Sequence, residues 1–186
     1  AFDYKGNLLP NWPIEIEEQG PEPHKPLIAD IDGDGGNEIL SASTTGKIYA
    51  FKADAKPLSD SWPVQVQEGN TILKSFGPAI YLDEDGTNAI LFSVSGGGKS
   101  CIKSLSYTGR IMEITCTVNG TFNLHMLAAN IDADNQNEIV TVQDGLNASI
   151  FNQVMAFKIN GTVVPGYPKP IAGVASGTSY AIGDVD

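Results

Sequence analysis

Acidic side chains recur at alternate positions in one short stretch of the chain, and this spacing is typical of a calcium-binding loop. The stretch reads DIDGDGGNE and runs from Asp30 to Glu38. Carboxylates at its first, third, fifth and ninth positions, with a backbone carbonyl at the seventh, can converge on one hard cation that takes about six to eight oxygen ligands. Glycine at the sixth position permits a left-handed turn that directs the later ligands back to the ion. Ser41 stands where an EF-hand has its bidentate Glu, so the loop is predicted to join two strands rather than two helices.

The acidic loop recurs along the chain at a nearly constant spacing. Related segments run from Tyr81 to Ala89 (YLDEDGTNA) and from Asn130 to Glu138 (NIDADNQNE), and a last one begins at Asp184. A second landmark recurs out of phase with the first, as AFDYKGNLLPNWP at the start, YAFKADAKPLSDSWP from Tyr49 and MAFKINGTVVPGYP from Met155. A repeat period of about 50 residues that contains several short strands is typical of β-propeller blades. The sequence therefore predicts an all-β fold built from blades of four antiparallel strands.

The strands that must position the acidic loop can be placed from hydrophobic alternation and from turn residues. For the first full repeat the predicted strands are 26–29, 38–43, 47–52 and 62–66. In the third of these, Ile48, Ala50 and Lys52 are expected on one face and Tyr49 and Phe51 on the other. The acidic loop then lies between the first and second strands.

The repeats divide the whole chain into one propeller domain of about three blades, with a partial blade at each end. The predicted segments are the end of a preceding blade at 1–20, a blade with an intact loop at 21–69, a blade with a degenerate loop at 70–119, a second intact blade at 120–171, and the start of a next blade at 172–186. A propeller closes with about four to eight blades. We therefore expect the chain to be part of a larger propeller; the alternative is a short protein completed by self-association.

Taken together, these motifs resemble the FG-GAP/VCBS repeat family. The resemblance rests on the DxDxDGxxE loop, the EIL or EIV strand that follows it, the AF strand with its GN or NG turn, and the closing WP or YP. It covers essentially the whole chain, and the acidic loop is its most specific part. Such repeats build the calcium-binding β-propellers of integrin α-subunits and of many secreted microbial proteins. The resemblance therefore implies Ca²⁺ as the cofactor and an extracellular location, either secreted or at the cell surface.

The resemblance also implies which residues bind the metal. In the first and third loops the implied ligands are Asp30, Asp32, Asp34, the carbonyl of Gly36 and Glu38, and Asn130, Asp132, Asp134, the carbonyl of Gln136 and Glu138. The second loop departs from the pattern because Tyr81 and Ala89 replace its first and last ligands, so Asp83 and Asp85 are expected to form at most a weak site. Asp184 and Asp186 belong to a loop that the sequence cuts off.

Two cysteines are spaced for a disulfide across a hairpin. The Thr108-Gly109 turn separates two predicted strands, and a two-residue loop there would pair Tyr107 with Arg110. The same register places Cys101 opposite Cys116, where Cβ atoms have about the separation that a disulfide needs. The alternative is a pair of buried free thiols. A disulfide would favour an oxidising, extracellular setting.

Charge and composition exclude several classes of function. The net charge of −11 arises mainly from the acidic loops and argues against nucleic acid as a partner. With 41% apolar residues, 20 glycines and 11 prolines, the chain is expected to be globular and rich in turns rather than disordered. No segment approaches the roughly 18 apolar residues that a membrane-spanning helix requires, so no membrane span is expected.

The sequence contains no recognisable group of nucleophile, base and orienting residue, and we predict no catalytic residue. The stretch from Gly96 to Ser100 (GGGKS) lacks the first glycine of a phosphate loop and is expected to be a turn. Trp12, Trp62 and Tyr167 precede prolines at equivalent repeat positions, so we expect them to pack between blades rather than to stack on sugars.

Two functions remain open from the sequence. The favoured one is a non-catalytic adhesion or recognition module, whose partners would be a protein or glycan ligand at a propeller face and the remaining blades of the same protein. The alternative is an accessory or catalytic propeller of a secreted hydrolase, such as a protease, or of a polysaccharide lyase. Fold alone does not distinguish them.

Overall fold

The computed structural model describes residues 1–17, 25–82, 88–118, 120–132, 134, 136–145 and 152–171, with the backbone alone described at 75–82, 123–125 and 145. Within these ranges the chain forms twelve β-strands and no helix. The strands are β1 (Leu27–Ala29), β2 (Glu38–Ala42), β3 (Lys47–Phe51), β4 (Val64–Gln65), β5 (Ile72–Leu82), β6 (Asn88–Gly96), β7 (Lys99–Ser106), β8 (Ile111–Thr117), β9 (Gly120–Ala129), β10 (Glu138–Gly145), β11 (Gln153–Phe157) and β12 (Lys169–Pro170). The all-β fold class predicted from the sequence is confirmed.

The strands form three antiparallel sheets of four strands, and each sheet follows the order of the chain. Sheet 1 contains β1 to β4, sheet 2 contains β5 to β8 and sheet 3 contains β9 to β12. Each sheet is an up-and-down meander, because each strand pairs antiparallel with the next strand along the chain. The described parts of the predicted segments 21–69, 70–119 and 120–171 each form one sheet.

The four strands predicted for the first repeat agree with β1 to β4, and the fourth strand differs most. It was expected at 62–66 and is confined to Val64–Gln65. Pro63 has no backbone N–H to contribute to the sheet, which explains the late start. The predicted faces of β3 are confirmed, since Ile48 and Ala50 lie in a hydrophobic core from which Tyr49 and Phe51 are absent.

The sheets pack against one another in chain order and enclose two hydrophobic cores. The first core joins sheets 1 and 2 and includes Leu40 and Ile48 from sheet 1 with Phe92 and Leu105 from sheet 2. The second core joins the opposite face of sheet 2 to sheet 3 and includes Leu91, Ile102, Met126, Ile139 and Phe157. Strand β5 contacts β1 and also contacts β9. The first strands of successive sheets are therefore neighbours.

Tryptophan side chains link neighbouring layers through equivalent hydrogen bonds. Trp62 is buried in the first core, and its indole N–H donates to the carbonyl of Tyr107 at 2.8 Å. Trp12 is half-buried and donates in the same way to the carbonyl of Ala53 at 3.0 Å. Ala53 and Tyr107 occupy the same position in equivalent turns of sheets 1 and 2. The expectation that these aromatic residues pack between repeats is confirmed for both tryptophans.

The N-terminal residues cover the face of sheet 1 that points away from sheet 2. Trp12 lies against Phe51 with the two rings edge to face and their centroids 6.1 Å apart. Between this segment and sheet 1 is an apolar cavity of about 330 Å³, whose lining includes Ile14, Ile16 and Ile28. Phe51, on the opposite face of β3 from the first core, also lines the cavity.

A disulfide joins β7 to β8, as the sequence predicted. The sulfur atoms of Cys101 and Cys116 are 2.15 Å apart, and the two residues are directly paired across the strands. The pairing predicted for the turn is nevertheless wrong, because the N–H of Ser106 donates to the carbonyl of Arg110 and the loop is one residue longer than expected. A β-bulge at Ile114 compensates for the extra residue and restores the register at the cysteines.

Candidate metal centre

Two acidic loops occupy equivalent places in sheets 1 and 3. The first connects β1 to β2, and the second connects β9 to β10. Each loop ends at a buried glutamate that is also the first residue of the following strand: Glu38 is 2% exposed and Glu138 is 1% exposed. The strand pairing places these glutamates at the edge of the core, while the preceding aspartates remain at the surface.

Backbone N–H groups fix the carboxylates of the first loop. The N–H of Ile31 donates to Glu38 Oε2 at 3.0 Å, which holds the buried carboxylate beneath the loop. The N–H of Asp34 donates to Asp32 Oδ1 at 3.1 Å, and the N–H of Gly36 donates to Asp34 Oδ1 at 2.7 Å. Asp30 accepts hydrogen bonds from the N–H groups of Gly33 and Gly35, at 2.7 and 3.0 Å. Both of those glycines have positive φ angles, of 77° and 87°, which favour glycine.

The loop in sheet 3 repeats this hydrogen-bond pattern. The N–H of Ile131 donates to Glu138 Oε2 at 2.9 Å. The N–H groups of Asp134 and Gln136 donate to Asp132 Oδ1 and Asp134 Oδ1, at 3.3 and 2.9 Å. The two loops therefore present their carboxylates from the same backbone conformation at three corresponding positions.

Three carboxylates converge in each loop. Asp30, Asp32 and Glu38 each offer an oxygen within 4.8 Å of the others, and so do Asp132, Asp134 and Glu138. Oxygens bound to one Ca²⁺ at about 2.3 to 2.6 Å lie at most about 5 Å from each other, so these separations suit that ion. The oxygen-only donor set also suits a hard cation.

Glu138 provides a more specific indication of a cation. Its Oε1 atom is buried and has no hydrogen-bond partner among the described residues. The Lys158 ammonium lies 3.8 Å from this oxygen, too far for a hydrogen bond. A buried carboxylate oxygen without a hydrogen bond is costly, and such atoms in native proteins often mark a bound ion or water. The residues therefore fit Ca²⁺. If Ca²⁺ binds in this loop, Asp132, Asp134 and Glu138 would hold it, and the ion would supply positive charge that offsets their negative charges.

Burial and neighbouring charges shift the pKa values of the loop carboxyls. Burial raises the pKa of Glu38, the hydrogen bond from Ile31 lowers it in part, and the neighbouring aspartates raise it further. The hydrogen bond from the N–H of Gly36 and the contact with Lys52 lower the pKa of Asp34. Lys158 and the N–H of Gln136 lower the pKa of Asp134. Asp34 and Asp134 are thus stabilised as anions, while Glu38 carries the cost of burial.

One lysine reaches into each loop, and the sequence analysis assigned neither of them to the site. Lys158 Nζ lies 2.8 Å from Asp132 Oδ2, contacts Asp134 Oδ2 and is 3.8 Å from Glu138 Oε1. Lys52 Nζ makes longer contacts, 3.7 Å to Asp32 Oδ2 and 3.4 Å to Asp34 Oδ2. Hydrogen bonds with these aspartates raise the pKa of both lysines. The shared AFK motif of the two repeats was the sequence signal that could have identified them.

Asn88 is a third residue that the sequence analysis did not single out. It begins β6 of sheet 2, and its side-chain N–H₂ donates to the backbone carbonyl of Asp30 at 2.9 Å. This bond connects the first acidic loop to the neighbouring sheet. Asn37 and Asn137 stand at the same position of their own loops, so the repeat alignment carried the signal.

Several residues predicted to bind the metal lie outside the two groups of three carboxylates. Asp34 lies beside Lys52 but outside the group of three carboxylates in its loop. Gly36 and Gln136 donate through their N–H groups, and the carbonyl ligation implied for them stays a prediction, as does ligation by Asn130. Asp83, Asp85, Asp184 and Asp186 lie outside the described residues. Ala89 is buried at the position of the two loop glutamates.

No family model and no curated protein matches the sequence. A solved structure described as a protein of unknown function from Bacteroides caccae is similar to this fold, with a TM-score of 0.47 and 15% sequence identity. The similarity covers 84% of this chain and 48% of that protein, so this chain spans about half the length of its structural neighbour. In the described part of the chain, no helix combines the length and apolar character needed to cross a bilayer.

Proposed function

We propose that this chain is a calcium-stabilised β-propeller module that works outside the cell as a non-catalytic surface for adhesion or for recognition of a protein or glycan. The observation that carries the proposal is the buried Oε1 of Glu138, without a hydrogen-bond partner in the described residues and beside the carboxylates of Asp132 and Asp134. In the first loop Asp30, Asp32 and Glu38 also converge, with Asp30 rather than Asp34 as the third member, and this group supports a second site of the same kind.

The packing of the sheets supports the propeller part of the proposal. Three meanders stack in chain order, and their first strands are neighbours. This is the relation that blades have around a propeller axis. Closure of a ring with about four to eight blades would require further repeats, supplied by a longer chain or by another copy.

The disulfide between Cys101 and Cys116 supports the extracellular part of the proposal. Disulfides persist mainly in oxidising compartments. Extracellular calcium modules typically bind the ion at about 10⁻⁴ to 10⁻³ M. At about a hundred times the dissociation constant, one site would add roughly 2.7 kcal/mol to the free energy of unfolding. That is a large share of the roughly 5 to 15 kcal/mol by which a domain is stable.

Thermal unfolding across a calcium titration tests the metal assignment. We expect Ca²⁺ to raise the melting temperature well above the effect of Mg²⁺, because the loops offer several anionic oxygens to a large divalent ion. Asp32→Ala and Asp132→Ala should each lose about half of the rise, since each removes a convergent carboxylate from one loop. The control is Asp54→Ala, which changes the charge equally at a residue paired with Lys56. A rise that both loop variants retain in full would contradict the assignment.

A binding screen tests the recognition role. The protein would be applied to glycan and extracellular-matrix arrays in Ca²⁺ and in chelator, with the double variant Asp32→Ala/Asp132→Ala as the control. Calcium-dependent retention of an unmodified ligand would support recognition. Release of shortened ligand during incubation would instead support an enzyme of the hydrolase or lyase type.

A further inference from the structure

Two lysines occupy the same place in the two repeats that have an intact acidic loop. Lys52 directly follows β3, and Lys158 directly follows β11. Each lysine opens the same type of turn, in which its N–H donates to the carbonyl four residues later, on Lys56 or Thr162. Ser106 opens the corresponding turn in sheet 2 by donating to Arg110. The turn itself therefore does not require a lysine.

The strand register places each lysine across from the glutamate of its loop. Ile39 pairs with Phe51, so Glu38 and Lys52 both lie one residue beyond that pair. The pair of Ile139 with Phe157 places Glu138 and Lys158 in the same relation. In sheet 2, where the loop has lost its first and last ligands, the corresponding pair is Ala89 with Ser106. The lysine is thus present in the two repeats whose loop ends in glutamate, and it is replaced by serine in the repeat whose loop ends in alanine.

Each ammonium group lies against the oxygens that would bind the ion. Lys158 Nζ contacts oxygens of all three converging carboxylates in its loop, including the buried Glu138 Oε1 at 3.8 Å. Lys52 Nζ contacts Asp32 and Asp34 in the other loop. A lysine ammonium and a divalent cation that share the same oxygens repel each other strongly at such short range. Both cations cannot be fully accommodated by the same carboxylates.

We propose that Lys52 and Lys158 are tethered cations that compete with Ca²⁺ for the acidic loops. With calcium scarce, each ammonium offsets part of the negative charge of its loop and helps to preserve the fold of the sheet. With calcium abundant, the ion takes the carboxylates and the flexible lysine side chain turns to solvent. The lysines therefore lower the affinity for calcium and reduce the loss of stability without it. This inference rests on the proposed calcium-binding function.

The test removes each charge while keeping an unbranched side chain. Calcium affinity is measured by titration calorimetry for the parent protein, Lys158→Met and Lys52→Met, at fixed ionic strength. We expect the affinity to rise about fivefold in Lys158→Met, because Ca²⁺ no longer has to displace one ammonium–carboxylate pair, whose attraction at about 4 Å in water corresponds to that factor. The rise should be smaller in Lys52→Met, since its contacts are longer. The matched control is Lys56→Met, which removes the same charge from a lysine paired with Asp54 and should change the affinity less than twofold.

Thermal unfolding supplies a second readout. In chelator, Lys158→Met should melt at a lower temperature than the parent protein, because three carboxylates lose their counter-charge. In saturating Ca²⁺ this deficit should disappear. If Lys158→Met does not fold in chelator, it can be purified in Ca²⁺ and its affinity measured by competition with a chelator of known strength.

The outcomes separate the two proposals. If the parent protein binds Ca²⁺ and both lysine variants bind it equally or more weakly, the tethered-cation inference is overturned while the proposed function stands. If only the lysine variants bind Ca²⁺, the inference is supported in its strongest form. If no variant binds Ca²⁺, the proposed function and the inference both fail.

Discussion

Ala55 holds a backbone conformation that glycine holds in the equivalent turns. Its φ angle is 71°, while Gly6, Gly109 and Gly161 have φ angles of 83°, 85° and 82° at the corresponding positions. The left-handed region costs a residue with a Cβ atom roughly 1 to 2 kcal/mol, whereas glycine enters it freely. Ala55 is therefore a local weakness in the hairpin that follows β3.

We expect Ala55→Gly to raise the free energy of unfolding by about 0.5 to 1 kcal/mol, since relief of the left-handed strain exceeds the added freedom of glycine in the unfolded chain. Chemical denaturation would measure the change. Gly6→Ala is the matched reverse substitution, because its added Cβ would meet nothing within 4 Å. Gly161→Ala should be more harmful, since its Cβ would lie 2.1 Å from the carbonyl oxygen of Ile114. A less stable Ala55→Gly variant would refute the strain argument.

At the scale of single elements, Trp62 connects two sheets through both packing and a hydrogen bond. We expect Trp62→Phe to lower the free energy of unfolding by about 1 to 3 kcal/mol, because the carbonyl of Tyr107 loses its donor in a buried environment. Trp12→Phe removes the equivalent bond to Ala53 at a half-buried position, where water can replace the indole. Its cost should be clearly smaller when both variants are compared by denaturant unfolding. Equal costs would show that burial does not decide the effect.

The elements themselves were largely predictable from the sequence. Alternation and turn residues located β1 to β3 within a residue or two, because turn residues separate the strands and because buried positions alternate along β2. The hairpin between β7 and β8 was less predictable. Its longer turn and the bulge at Ile114 cancel each other, so the cysteine pairing was predicted correctly from an incorrect local register. Bulges leave little trace in a single sequence.

The candidate site was predictable for the carboxylates, which lie close together in the sequence. It was less predictable for the residues that reach the loops from other strands. The alternating aspartates and the glutamate of each loop are local in sequence, and the structure groups three carboxylates in each loop. Lys52 and Lys158 reach their loops only through the pairing of non-adjacent segments, and Asn88 reaches Asp30 from the next sheet. Such contacts depend on register and packing, which the spacing of acidic residues does not encode.

At the scale of the whole molecule, the three sheets should differ in their dependence on calcium. Sheets 1 and 3 each contain an acidic loop with three converging carboxylates, whereas sheet 2 has its two last strands joined by the disulfide. In repeat proteins, stability is approximately a sum of terms for each repeat and for the interfaces between neighbours. Loss of calcium should therefore loosen sheets 1 and 3 before it loosens sheet 2.

Hydrogen exchange followed by mass spectrometry would reveal this order. On addition of chelator we expect faster exchange in residues 38–51, 138–145 and 152–157, which include the two strands that follow each acidic loop, and little change in residues 88–117 of sheet 2. The double variant Asp32→Ala/Asp132→Ala should show the faster pattern even in Ca²⁺. Equal loss of protection in all three sheets would instead indicate a single cooperative unit.

The apolar cavity beside sheet 1 has a practical consequence for anyone who produces this protein. The segment that carries Trp12, Ile14 and Ile16 covers part of one face of sheet 1. Ile28 on that face remains 66% exposed. Expression boundaries drawn after this segment would uncover Phe51 and Ile39 to solvent. Exposed, contiguous apolar surface of that kind promotes aggregation. A chain that lacks the N-terminal segment is therefore expected to aggregate at a lower concentration than the chain that contains it.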